Sequence, residues 1–132
     1  MATPETYAFR LHPGQDLKKE IESIVRSNNV LAGWIVTAVG SLTEYNIRFA
    51  NRPTGDIGRG HFEIVSLTGT LSLDGCHIHI SISDETGRTI GGHLLEGCKI
   101  YTTAEIVIAA TDQYEFKREQ DEDTGWKELV IS

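Results

Sequence analysis

The spacing of apolar positions changes period twice along the chain, dividing it into a short extended start, one helical stretch and a long succession of strands. Thr6 to Leu11 reads as extended, and Pro13-Gly14 ends it. Leu17, Ile21, Ile24 and Val25 then recur at helical spacing, with Lys18, Lys19, Glu20 and Glu22 on the other faces. Asp16 offers a side-chain oxygen to the unpaired N–H groups of the first turn, and Asn28-Asn29 closes the segment. Beyond it come a buried run from Trp34 to Val39, an interruption at Gly40-Ser41 and a second run from Leu42 to Ala50. Pro53, Gly55, Gly58 and Gly60 predict a mobile loop from Asn51 to Gly60. Strands resume over His61 to Leu67, Gly69 to Leu73, Cys76 to Ser83, Arg88 to Leu95 and Lys99 to Ala110, with Tyr114 to Arg118 and Lys127 to Ile131 completing the set. This succession predicts an α+β fold: one N-terminal helix packed on a highly curved, largely antiparallel, barrel-like sheet.

A chain of 132 residues fits a single domain, 1–132, with room for a core that needs neither disulfides nor a structural metal. Any metal would then serve function. Cys76 and Cys98 read as small core residues rather than a disulfide framework. No charged region followed by an apolar segment opens the chain, and no apolar run approaches a membrane span, so the expected setting is cytoplasmic, without membrane contact. Twelve basic against nineteen acidic residues give a net charge of -7, which disfavours unaided binding to nucleic acid. Arg48, Arg52 and Arg59, in or beside the 51–60 loop, form the one candidate basic cluster, and their simpler role is ordinary solvated surface.

The candidate chemistry lies in three histidines. His77 and His79 alternate with Ile78 and Ile80, so in a strand both imidazoles leave the same side. Asp84 to Gly87 is a turn signal; if the loop is Glu85, Thr86 and Gly87, with Asp84 opposite Arg88, then His79 lies opposite His93 and all three rings share a face. A two-residue loop instead places Ile78 opposite His93 and turns that ring away. Gly91-Gly92 could also host a bulge that re-aims His93. Three imidazoles with an open fourth position are a known zinc arrangement, with nitrogens at about 2.0–2.1 Å from the ion. The competing reading is a polar strand face opposite Ile78, Ile80 and Ile82 that holds no ligand.

Other residues carry weaker signals. Glu105, beside Ile106, Val107 and Ile108, reads as a buried carboxylate, with Arg10 as the candidate to neutralise it or to hold an anionic substrate. These two are the candidate acid/base or supporting residues of a metal site; the alternative is an ion pair that fixes the core or a subunit contact. Glu63, Ser66, Ser81 and Ser83 fit inert polar faces. No serine sits in a G-x-S-x-G elbow, and the glycine pairs lack the lysine and the helix of a phosphate loop.

Six stretches, in order, carry a resemblance: Arg10-Leu11-x-x-Gly14, Gly40-Ser41-Leu42, Gly60 to Gly69, His77-x-His79-x-Ser81-x-Ser83-Asp84, Gly91-Gly92-His93-Leu94-x-x-Gly97 and Thr103 to Ile108. They resemble the PPC (plants and prokaryotes conserved) domain family across nearly the whole chain. The resemblance implies a homotrimer of compact α+β subunits. In plants the domain follows AT-hook segments and serves assembly and contacts with transcription factors. No Arg-Gly-Arg-Pro segment occurs here, which leaves the family's DNA-binding role with little support in this chain, and His61 stands where the plant motif usually has Arg. Plant domains generally lack the three histidines, so this chain looks like the prokaryotic form. The family fold is in turn similar to that of α-acetolactate decarboxylase, a zinc enzyme that uses an H-x-H pair and a later histidine; His77, His79 and His93 match that order. The expectation is a homotrimer with a divalent metal, zinc by analogy, at His77, His79 and His93, binding or transforming a small ligand. A DNA-associated, transcription-linked assembly module is the alternative.

Overall fold

Antiparallel pairing carries most of the chain in the computed structural model, which describes residues 3–132. In chain order the elements are β1 (Glu5–Leu11), α1 (Leu17–Ser27), β2 (Ala32–Arg48), β3 (Asp56–Leu71), β4 (His77–Ser83), β5 (Thr89–Leu94), β6 (Lys99–Thr111), β7 (Phe116–Gln120) and β8 (Lys127–Ile131). The first six strands form one sheet in the order β1-β6-β2-β3-β4-β5; β7 and β8 form a separate hairpin. β5 also returns to the far end of β2, pairing Ile47 with Leu94 and Arg48 with His93. Strands β2 to β5 thereby close into a partial ring, the curved α+β architecture expected from the pattern of strands.

Helix α1 begins as its sequence predicts. The Asp16 carboxylate accepts from the Lys19 N–H at 3.1 Å and, through its other oxygen, from the Gly97 N–H at 2.7 Å. One buried side chain therefore caps the helix and ties it to the turn before β6. At the other end Asn28 Nδ2 donates to the Ile24 carbonyl, and Asn29 takes a left-handed φ of 51°. Leu17, Ile21 and Val25 are buried against the sheet in the same cluster as Ile78, Ile80, Ile82, Leu94, Ile106 and Ile108. Burying each such side chain contributes about 1.5–3 kcal/mol relative to exposing it.

Two strands are longer than the sequence pattern predicts. Gly40-Ser41 does not interrupt the sheet; β2 runs unbroken for 17 residues and absorbs the bend in register shifts between Gly40 and Leu42 and between Leu42 and Glu44. Gly40 is needed for close approach, since a Cβ there would lie 2.4 Å from the Thr103 carbonyl oxygen of β6. Likewise the 51–60 loop is shorter than expected, because β3 starts at Asp56 and continues through Thr68. Gly58 lies under the Tyr45 ring, with no room for a side chain. Arg59 is consequently a strand residue whose Nε reaches Glu44 Oε1 at 2.9 Å.

Candidate metal centre

The alternation along β4 sends Ile78, Ile80 and Ile82 into the core and leaves His77 and His79 exposed on the other face. The turn that follows decides where His93 goes. Asp84 pairs with Arg88 through the Asp84 N–H and the Arg88 carbonyl at 2.9 Å, and Gly87 takes a left-handed φ of 85° that closes a three-residue loop. Asp84 Oδ1 also accepts from the Thr86 N–H and hydroxyl, at 2.8 and 2.6 Å. The resulting register sets His79 directly opposite His93 and stays unbroken from there to the turn. Gly91-Gly92 hosts no bulge within this hairpin. Gly92 instead lets β2 approach: a Cβ there would lie 2.5 Å from the Arg48 carbonyl oxygen.

The three imidazoles converge as this register requires, and one ring nitrogen from each lies within 4.8 Å of the others. His77 Nε2 and His79 Nε2 are 3.2 Å apart. Two nitrogens at zinc-ligand distance in a tetrahedral shell are separated by roughly 3.3 Å, so this pair already has the spacing of a shared ion. Partial desolvation in the cavity wall, followed by the charges of His79 and Arg118, holds the His77 pKa below its ordinary value. Burial and the neighbouring Arg48 guanidinium push His93 down to about 4. Both rings are therefore neutral at pH 7, the state in which an imidazole nitrogen donates to a metal. The donor set and its spacing fit a divalent ion held by His77, His79 and His93.

His77 and His93 also line a cavity of about 890 Å³, whose other walls include Arg48, Arg52, Cys76, Arg118 and Trp126. The sequence pattern gave no sign of Arg118 or Trp126, because the β7–β8 hairpin reaches this place only in three dimensions. Its anchors are the Phe116 N–H on the Leu31 carbonyl, the Arg118 N–H on Asp74 Oδ2 at 2.7 Å, and Arg118 Nη2 on Thr70 Oγ1 at 3.0 Å.

Glu105 and Arg10 neither join the histidine cluster nor line that cavity. They face each other on β6 and β1. Glu105 is exposed rather than buried, since its side chain alternates outward between the buried Ala104 and Ile106. The expected direct pairing is replaced by a relay: Arg10 Nε donates to Thr103 Oγ1 at 3.0 Å, and that hydroxyl donates to Glu105 Oε2 at 3.3 Å. Arg48 and Arg52 face the cavity while Arg59 is held by Glu44, so the three do not form one loop cluster. Cys98 is buried, with its thiol pushed up to about 11 by that burial.

Comparison with known proteins bears on this geometry. The chain is 46% identical over 125 residues to a bifunctional protein GlmU of Synechococcus sp., a match that covers 95% of this chain and 20% of that protein. It thus spans about a fifth of the length of the curated relatives it matches. A hypothetical protein from Salmonella enterica has the same structure with a TM-score of 0.97 at 39% identity, covering 100% of this chain and 96% of that one. A metal-containing protein from Archaeoglobus fulgidus shares the fold with a TM-score of 0.80 at 24% identity, covering 98% and 99% of the two chains. No helix among the described residues is long and apolar enough to cross a membrane. Residues 2–112 match the Plants and Prokaryotes Conserved (PCC) domain, and the chain belongs to that family.

Proposed function

We propose that the chain assembles as a homotrimer in which His77, His79 and His93 of each subunit hold one divalent metal ion, zinc by donor type, and that the site binds or transforms a small ligand. The convergence of three imidazoles at the edge of a cavity of about 890 Å³ carries this reading. A bound divalent ion would supply a Lewis acid there, able to polarise a ligand oxygen or to lower the pKa of a bound water toward about 7. The chain's own contribution is to fix the donors: the three-residue turn sets the register, and Gly92 admits β2 beside β5. Arg10 and Glu105 act away from this site and belong to the sheet surface.

Support for the trimer comes from the outer face of β2, β3 and β6, where Val36, Val39, Val65 and Tyr101 are exposed. Val39 is 60% exposed and Val65 59%, and both lie on central strands rather than at loop tips. Second and third copies of the chain are the occupants that would bury them. The DNA-associated reading draws on Arg48, Arg52 and Arg118, but a chain with a net charge of -7 has little further charge to offer a polyanion.

Elemental analysis of protein purified without a histidine tag tests the metal, and sedimentation tests the assembly. One ion per subunit and a mass three times 14.6 kDa are expected. A metal-free preparation that takes up none of zinc, nickel or cobalt in stoichiometric amount would remove the first claim, and a monomer at micromolar concentration the second.

A further inference from the structure

The cavity beside the histidines inverts the charge balance of the molecule. Four of the chain's 12 basic residues, Arg48, Arg52, Arg118 and Lys127, line it, against Glu128 alone of the 19 acidic ones. Concave surfaces lined by one sign of charge focus the field and raise the local concentration of the opposite ion. None of the three arginines pairs with a carboxylate side chain among the described residues.

Two of the guanidiniums are positioned by separate parts of the fold. Arg48 is the strand partner of His93 in the pairing that closes the ring, so the two side chains leave the sheet together. Arg118 comes from the C-terminal hairpin, and its Nη2 donates to Thr70 Oγ1 at 3.0 Å; Thr70 is the strand partner of His77. The histidine cluster thus has one guanidinium beside His93 and another beside His77. Trp126, on the same hairpin and 73% exposed, adds a flat apolar surface to the lining, as does Pro53.

We infer that this cavity binds a small organic oxyanion, its carboxylate or phosphate head held between Arg48 and Arg118 next to the histidines and its apolar body laid against Trp126. Arginine forks match the planar or tetrahedral oxygens of such heads with paired N–H donors. An indole face accepts an apolar or aromatic body. The inference rests on the metal reading in that the head would neighbour the ion, but the clamp itself is built from residues that are not ligands. Arg118 and Trp126 lie beyond the family-matched residues 2–112, so the family segment supplies the histidines and the hairpin adds the second guanidinium and the indole.

Calorimetric titration of the zinc-loaded full chain with phenylacetate and with phenyl phosphate tests this. Saturable binding of at least one probe is expected, and the tighter of the two identifies the head group. Arg48→Gln and Arg118→Gln should each weaken it tenfold or more with metal stoichiometry unchanged, and Trp126→Ala, a change at an exposed position, should weaken it several-fold. Binding that persists in wild-type protein that takes up no metal would support the clamp while sinking the metal reading alone. Three results would overturn the inference: no saturable binding of either probe at millimolar concentration, unchanged affinity in both arginine variants, or displacement of the probe by duplex DNA at physiological salt. The last would make the clamp a nucleic-acid surface.

Discussion

Chemistry-bearing side chains gather in two regions of this sheet, and the sheet treats them differently. Where the ring closes, β4, β5 and the tail of β2 bring three imidazoles and the Arg48 guanidinium together beside a cavity. On the ladder between β1 and β6, Arg10, Thr103 and Glu105 lie side by side in an exposed hydrogen-bonded row. Both regions have charged or ligating groups at strand spacing. Only the first has curvature, a second element above it, and the partial burial that holds His77 and His93 neutral. Convergence and desolvation distinguish a site from a polar face, and both are properties of the closed ring rather than of residue type.

The sharpest way to break this comparison is to exchange one residue from each region. His79→Ala should abolish stoichiometric metal while leaving the subunit folded, because the core beneath β4 is Ile78, Ile80 and Ile82. Glu105→Gln should leave metal content unchanged. Elemental analysis of the two purified variants decides it, and full occupancy in His79→Ala would merge the regions again.

Next in size is the closure itself. Gly92→Ala forces a methyl group to within 2.5 Å of the Arg48 carbonyl oxygen, and overpacking of that kind costs about 1–3 kcal/mol. Denaturant unfolding should show the loss, and metal affinity should fall with it because His93 follows Gly92 directly. A variant as stable as wild type that keeps its metal would show that closure is not what positions the third ring.

Protons have an effect that is absent at neutral pH and appears only in acid. His93 has a folded pKa of about 4 against an ordinary 6.5, so between those values the unfolded chain binds more protons than the folded one. The metal-free protein should therefore hold its full share of this stability above about pH 6.5 and lose it progressively as pH falls toward 4. Melting temperature across that range, compared between wild type and His93→Gln, isolates the contribution. Equal acid sensitivity in both would assign it elsewhere.

The smallest change should come from Arg10→Ala. An exposed hydrogen-bonded row of this kind is worth within about 1 kcal/mol. A larger loss measured by denaturant unfolding would show that the row is covered in the assembly, since Glu105 is the strand partner of Val39.

These contrasts follow the line between what local pattern encodes and what it does not. The helix, its Asp16 cap and the face shared by His77 and His79 are legible because each depends on residues a few positions apart. The opposition of His79 and His93 is legible too, through the turn chemistry of Asp84 to Gly87. Gly40 and Gly58 mislead, since a glycine that admits a neighbouring strand or an aromatic ring looks, in sequence, like one that ends a strand. Glu105 misleads in another way: apolar neighbours set the burial of their own face and leave the alternate position exposed. Arg118 and Trp126 give no local sign, because the hairpin that carries them meets β3 and β4 only through the fold.

The loop from Glu85 to Gly87 has one more consequence. β5 is paired on both sides, to β4 through His79 and to β2 through Arg48. A one-residue slide of β5 would have to break both ladders at once and would turn His93 toward the core, and a two-residue slide would keep its face but move it out of line with His79. A residue gained at the exposed turn is therefore taken up in the loop, where connecting segments ordinarily vary, and the strand that carries the third imidazole stays where its two neighbours hold it.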